Sequence, residues 1–230
     1  MTFELIILGI ILVAICGIFV TEFLRAFYHK RFKKALLYKG LASACFIIQG
    51  LICLLNTKFS VVNLLILIGL CLGIVGDEII ALCQIFPKHD AVHFIGGGAF
   101  FIIGHLFYMA AMLLLHKTNY YAMAACLVVL VLLCVVYENQ RKFLVGKMKN
   151  SLKLYIAVIL LFTALGVGTF FEKGTLGTAL FALGGALFTI SDNVLFAFKF
   201  GNRPRYYQNV VLHIAYYAAQ FTIAFSIACL

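Results

Sequence analysis

The chain contains few charged residues. Only eight of its 230 residues are Asp or Glu, and charged residues make up 11% of the total, against 65% hydrophobic residues. The mean hydropathy is +1.11. No polar linker or low-complexity tract separates the apolar stretches. This composition excludes an ordinary soluble domain and indicates an integral membrane protein.

The apolar residues form long unbroken runs rather than short alternating ones, which favours membrane-spanning helices over a β-barrel. We therefore predict an all-α integral membrane protein in which residues 1–230 form a single domain, a bundle of eight transmembrane helices. The first run lacks the basic start and small-residue cleavage pattern of a signal peptide, so we expect it to be retained. The predicted helices are 3–24, 35–56, 60–83, 93–115, 119–138, 151–172, 174–199 and 207–229.

Lys and Arg lie mostly on one side of this predicted bundle. Fifteen of the 18 fall in or beside the connections that follow helices 1, 3, 5 and 7, whereas Lys58, Lys117 and Lys173 fall on the other side. By the positive-inside rule the first group faces the cytoplasm, and both termini lie outside the cell membrane. The net charge of +10 is then explained by contact with anionic membrane lipids, so no nucleic-acid partner is expected.

The eight cysteines form no Cys-x-x-Cys pair and lie mostly inside the predicted helices. They therefore indicate neither a disulfide framework nor a structural zinc site. His89, Asp90 and His93 have a spacing that could hold a metal, but they straddle a predicted loop. We predict no metal and no cofactor.

Three carboxylates, Asp77, Glu78 and Asp192, lie inside apolar runs. An ionisable residue at membrane depth is costly and marks a candidate functional site. At 1.5 Å per residue, Asp77, Asp192 and His213 each lie about 9–10 Å from the cytoplasmic end of their predicted helices. These three groups should therefore share one level. Glu78 points about 100° away from Asp77 and is expected at the rim of the site.

Further polar residues are predicted to face the interior of the bundle, because each lies on one face of an otherwise apolar helix. Structural alternatives exist: interhelical hydrogen bonds for Tyr216 and Gln220, packing for His105, and extension of Lys39 to the membrane surface. The residues predicted to face the interior are Lys39 and Ser43 on helix 2, His105 and Tyr108 on helix 4, and Asn209, His213, Tyr216, Tyr217 and Gln220 on helix 8.

A short internal repeat is present. The segments 76–80 and 191–195 are 115 residues apart, and the same offset aligns His105 with Gln220. Helices 1–4 and 5–8 would then form a 4+4 parallel repeat that sets Asp77 opposite Asp192. Two facing carboxylic acids in a site of low dielectric constant repel each other, so one tends to keep its proton while the other stays ionised. Such a pair can act as acid and base.

Several motifs occur in order along the predicted helices, and in this set the chain resembles the YhhN-like family of membrane lysoplasmalogenases over nearly its whole length. The motifs are Lys39 in helix 2, Gly76-Asp77 in helix 3, Gly98-Ala99-Phe100 and the run from Gly104-His105 to Tyr108 in helix 4, Ser191-Asp192 in helix 7, and Tyr216-Tyr217 with Gln220 in helix 8.

The resemblance implies hydrolysis of the vinyl ether bond of a lysoplasmalogen, which releases a fatty aldehyde and glycerophosphoethanolamine or glycerophosphocholine. The predicted site suits this reaction, because protonation of an enol ether creates an oxocarbenium-like cation that a carboxylate stabilises and water captures. On this interpretation the partners are a lysophospholipid substrate and membrane lipids. The roles are acid/base pair for Asp77 and Asp192, orientation of water or substrate for His105, Tyr108 and His213, phosphate binding for Lys39, and lining for Ser43, Glu78, Tyr216, Tyr217 and Gln220.

Other functions remain open on the residues alone. Paired intramembrane aspartates also occur in aspartyl proteases, but Ile74 interrupts the Gly-x-Gly-Asp pattern of those enzymes. Buried carboxylates can also relay protons in a transporter. A proton-coupled lipid or small-molecule transporter and a non-catalytic lipid-binding sensor are therefore the alternatives to an enzyme.

Overall fold

A computed structural model describes residues 3–115, 118–141, 149–201 and 205–230, with backbone alone for 136–141 and 149. Among the basic residues used to predict orientation, Lys117, Lys142, Lys147 and Arg203 lie outside the described residues. Within these ranges the chain forms eight α-helices and no strand, as predicted. The helices are α1 Phe3–Tyr28, α2 Phe32–Leu55, α3 Val61–Ile85, α4 Asp90–Leu114, α5 Tyr120–Arg141, α6 Lys149–Lys173, α7 Leu176–Phe200 and α8 Tyr206–Ser226.

Six of these helices, α1 to α4, α6 and α7, are long and apolar enough to cross a membrane, which indicates a multi-pass membrane protein. The apolar part of α5 is shorter, at Tyr120–Val135. Helix α8 is not among the six, and its polar residues Asn209, His213 and Gln220 lower its hydropathy. Eight membrane crossings therefore stay a prediction.

Local chemistry sets several helix ends. The Ser60 side chain accepts a hydrogen bond from the Val62 backbone N–H and so caps the start of α3. Gly174 adopts a positive φ of 62° directly after α6, a conformation that favours glycine. Thr175 then caps α7 by accepting from the Thr178 N–H. A 3₁₀ turn, Pro87–His89, joins α3 to α4.

The closest packing is between α3 and α4 and between α7 and α8. Between α3 and α4, a Cβ atom at Gly76 would lie 2.8 Å from the carbonyl oxygen of Gly97, so glycine is required for this approach. Asp77 follows directly and is buried. Close backbone contact therefore helps to hold this carboxylate inside the bundle.

Helices that follow each other in the chain pack together within each half, from α1 to α4 and from α5 to α8. Between the halves, α2 contacts α8 and α4 contacts α6, two contacts that a twofold relation would exchange. Helix α8 also contacts α1 and α3, and among the described residues α4 has no contacts of similar extent with α5 and α7. The 4+4 repeat therefore stays a prediction.

Candidate functional site

A cavity lies among α1, α2, α3, α4, α7 and α8, at the end of the bundle where α1 meets α2. About 90 Å³ of it is open to water-sized molecules. We call it the polar cavity because of the polar side chains that line it. Phe, Leu and Ile side chains form much of the rest of its wall. Its polar lining residues are Lys39, Asp77, Gln84, Ser191, Asp192, Lys199, Asn209, His213 and Tyr216.

Lys39 and Asp77 form an ion pair between α2 and α3. Lys39 Nζ lies 2.8 Å from Asp77 Oδ1 and donates a further hydrogen bond of 3.1 Å to the Asp77 carbonyl oxygen. Ser43, one turn along α2, donates to Asp77 Oδ2 at 3.4 Å. The lysine head therefore turns inward instead of extending to the membrane surface. Its positive charge favours the ionised form of the Asp77 carboxyl group.

Asp192, on α7, has a different environment. The hydroxyl of Tyr155, on α6, donates a hydrogen bond of 2.5 Å to Asp192 Oδ2. Both residues are buried, and among the described side chains no cation pairs with Asp192. A buried carboxyl group without a counter-charge is better accommodated in its neutral, protonated form. The two predicted carboxylates thus line one cavity in unlike settings.

His213 also lines this cavity, at the level predicted for it. Its Nδ1 lies 2.8 Å from the Asn209 carbonyl oxygen, and its ring centroid is 4.6 Å from that of Phe23. Because a carbonyl oxygen can only accept, Nδ1 carries the proton and Nε2 is left as an acceptor. The ring can therefore accept a hydrogen bond from water or substrate.

A hydrogen-bonded chain runs from Tyr108 to the cavity. The Tyr108 hydroxyl donates to Gln220 Oε1 at 3.3 Å, and Gln220 Nε2 donates to the Tyr216 hydroxyl at 3.2 Å. Tyr216 lines the polar cavity, while Tyr108 and Gln220 lie behind it. Since the Tyr216 oxygen accepts from Gln220, its own proton is available to a group in the cavity.

His105 does not reach the polar cavity. Its ring lies between those of Phe162 and Phe188, with centroid distances of 4.8 and 4.7 Å. Nδ1 contacts the Phe101 carbonyl oxygen at 2.6 Å, and the buried Nε2 has no hydrogen-bond partner among the described residues. This arrangement is aromatic packing. An orienting role for His105 and Tyr108 stays a prediction.

The remaining predicted residues surround the ion pair. The Tyr217 hydroxyl donates to the Lys39 carbonyl oxygen at 3.3 Å and lies 3.4 Å from Ser43 Oγ, so it supports α2 from behind. Glu78 is partly buried and faces Gly40, away from the polar cavity. The location of Glu78 at the rim of the site stays a prediction.

Sequence reasoning missed Tyr155 and Lys199. Tyr155 lies near the start of α6, where an aromatic residue ordinarily indicates the membrane interface. From the sequence, Lys199 was considered only as one of the basic residues at the connection after helix 7. It lines the polar cavity, forms an ion pair with Asp90 at the start of α4, and lies 5.5 Å from the centroid of the Phe94 ring. Neither residue has a pattern that separates it from ordinary interfacial residues.

Comparison with known proteins gives one match. The model of the YhhN family matches residues 34–227, a range that includes every predicted site residue from Lys39 to Gln220. No curated protein and no solved structure matches the chain.

Proposed function

This chain belongs to the YhhN family, and on that basis we propose that it is a lysoplasmalogenase, which hydrolyses the vinyl ether bond of a single-chain phospholipid. The observation that carries the proposal is the pair of buried carboxylates on one cavity. Asp77 has a cation beside it, and Asp192 has a phenol. An acid-catalysed hydrolysis needs one group that gives a proton and one that stabilises positive charge.

The two environments support a division of roles. Asp192, buried without a counter-ion, carries the proton and is the acid. Because Tyr155 donates to Oδ2, Oδ1 of Asp192 is the oxygen that bears this proton. Asp77, which is paired with Lys39, is the carboxylate that faces the developing cation.

The reaction proceeds in two stages. Asp192 transfers its proton to the vinyl carbon farther from the ether oxygen, and the carbon next to the oxygen becomes an oxocarbenium-like cation. Water then adds to this carbon, while His213 Nε2 or Asp77 accepts a proton from the water. As the hemiacetal collapses, the proton held by His213 or Asp77 passes to the leaving glycerol oxygen, and the hemiacetal hydroxyl gives its proton back to Asp192. The products are a fatty aldehyde and a glycerol hydroxyl. One water is consumed for each vinyl ether bond that is cleaved.

Lys199 is our candidate for the phosphate of the headgroup. Its side chain is 19% exposed, against 6% for Lys39, so it lies nearer the mouth of the polar cavity. A phosphate group stays at the membrane interface, and a lysine there is a better partner than one buried against Asp77. In this proposal Lys39 serves Asp77 as its counter-ion.

We also propose eight crossings of the cell membrane with both termini outside, which puts the polar cavity near the cytoplasmic surface. The excess of Lys and Arg at the connections after α1, α3, α5 and α7 supports this orientation. Reporter domains fused to either end should appear on the outer side of the membrane. A reporter that appears in the cytoplasm contradicts the orientation.

Mass spectrometry of the products tests the proposed activity. Purified protein in detergent is incubated with an alkenyl lysophospholipid and, in parallel, with its acyl ester counterpart. We expect fatty aldehyde from the alkenyl substrate and no fatty acid from the ester. Fatty acid release would identify a lysophospholipase instead, and the absence of product from both substrates, with folding verified, would favour a transporter or a lipid sensor.

A further inference from the structure

A second cavity of about 210 Å³ lies between α4, α6 and α7. Its walls are almost wholly apolar, with Ile95, Ala99 and Ile102 on α4 and Leu152 on α6 among them. Ser151 and Tyr155 are its polar members. We call it the apolar cavity.

The two cavities are adjacent. Ile80, Phe94 and Leu195 line both of them. Tyr155 also joins the two, because it lines the apolar cavity while its hydroxyl donates to Asp192 in the wall of the polar cavity. A molecule that occupies both cavities therefore changes from apolar to polar surroundings beside Asp192.

The apolar cavity also reaches the outer surface of the bundle. Ile95 and Leu154, which line it, are 43% and 58% exposed. Both belong to helices that are apolar enough to cross a membrane, so this side of the bundle faces hydrocarbon rather than water. A hydrocarbon chain can enter the cavity from the bilayer without crossing a polar surface.

We propose that the apolar cavity binds the hydrocarbon chain of a single-chain phospholipid while the headgroup occupies the polar cavity. The choice of lipid class rests on the proposed function. The chain and the polar headgroup of such a lipid meet at the vinyl ether. The hydrogen bond between Tyr155 and Asp192 joins the walls of the two cavities. Because a chain that enters from the bilayer is in apolar surroundings before and after entry, selection of the chain depends on its fit and dispersion contacts with the walls of this cavity.

Gly98 provides a selective substitution. It lines the apolar cavity, and a Cβ atom there would lie 3.9 Å from the Tyr155 ring, which is ordinary contact. Gly98→Leu therefore fills the cavity without displacing backbone. Gly17→Leu on α1 is the matched control, since Gly17 is exposed and no atom lies within 4 Å of a Cβ built there.

Photocrosslinking tests the proposal without any need for turnover. The probe is an alkyl ether lysophospholipid with a diazirine at the end of its chain, incubated with the full-length protein in detergent, and labelled peptides are mapped by mass spectrometry. We expect labels in residues 94–102 and 151–155, reduced about tenfold by Gly98→Leu and unchanged by Gly17→Leu. An excess of diacyl phospholipid should leave the labels in place.

Three results would overturn this assignment: labels concentrated elsewhere, such as on α1; equal labelling in Gly98→Leu; or full displacement by diacyl phospholipid, which would make the occupant a bilayer lipid. The assay also separates the two proposals. Labels at the expected positions without aldehyde formation would contradict the proposed hydrolase activity but not the chain-binding site. Aldehyde formation with labels elsewhere would contradict the chain-binding site but not the hydrolase activity.

Discussion

Lys39 Nζ lies 2.8 Å from Asp77 Oδ1 inside the helix bundle, and both residues are buried. The second aspartate of the polar cavity, Asp192, has a hydroxyl donor instead of a cation. The proposed division into acid and carboxylate depends on this difference in partners.

Removal of the Lys39 charge should reduce both the stability of the protein and its turnover. Lys39→Met leaves Asp77 buried without its partner, and we expect a loss of about 3–5 kcal/mol in the free energy of unfolding together with a large loss of turnover. The double variant Lys39→Met/Asp77→Asn removes both charges and should regain most of the stability but no activity. Thermal unfolding in detergent checks this. Equal unfolding temperatures for wild type and Lys39→Met would contradict the importance of the pair.

Tyr155→Phe tests whether the Tyr155 hydroxyl positions Asp192 for catalysis or has only a structural role. The substitution keeps the ring that lines the apolar cavity and removes only the hydroxyl that contacts Asp192. We expect kcat to fall by about tenfold, the value of one hydrogen bond to a catalytic group, with KM unchanged. The free energy of unfolding should fall by only about 1–3 kcal/mol, the cost of one buried hydrogen bond. A lower unfolding temperature with kcat unchanged would mean that the hydroxyl is structural.

His105 and His213 are both buried and form a matched pair, because each directs Nδ1 to the carbonyl oxygen four residues earlier. Only His213 lines the polar cavity. His213→Phe should therefore reduce turnover by about a hundredfold or more, as expected for loss of a proton acceptor. His105→Phe replaces one ring of an aromatic cluster by another, and because His105 does not line the polar cavity we expect turnover close to wild type. That result would overturn the orienting role that the sequence predicts for His105. Equal losses in both variants would contradict this distinction.

Lys199→Met should weaken substrate binding. Loss of one charge-assisted contact to phosphate should raise KM by about tenfold. We expect kcat to stay unchanged, because two turns of α7, about 10 Å, separate Lys199 from Asp192. Asp90→Asn is the control, since it breaks the same ion pair but keeps the lysine, and it should not raise KM. If the two variants raise KM equally, the ion pair itself is what matters.

Sequence reasoning predicted the helices and the depth of the site, because hydropathy gives the spans and a fixed rise per residue gives the level. Asp77, Asp192 and His213, predicted at one level, all line the polar cavity. Depth does not determine which neighbour a side chain meets. Helix rotation and tertiary packing decide that, which is why His105 lies among Phe rings.

Lys39 and Tyr155 illustrate the same limit. A lysine near a helix end can extend to the membrane surface or turn inward, and only the position of Asp77 on a neighbouring helix favours the second arrangement. A tyrosine near a helix end is typical of the membrane interface. Its contact with Asp192 joins α6 to α7 across 37 residues, and no local pattern encodes such a contact.

The central claim is that Asp77 and Asp192 together cleave a vinyl ether. The most direct test is the rate of fatty aldehyde formation from an alkenyl lysophospholipid by wild type, Asp77→Asn, Asp192→Asn and Glu172→Gln. Glu172 is exposed at the end of α6, so its variant controls for the loss of an acid. We predict losses of about a hundredfold or more for each aspartate variant and none for the control. Near-normal aldehyde formation by folded Asp77→Asn or Asp192→Asn protein would contradict the claim.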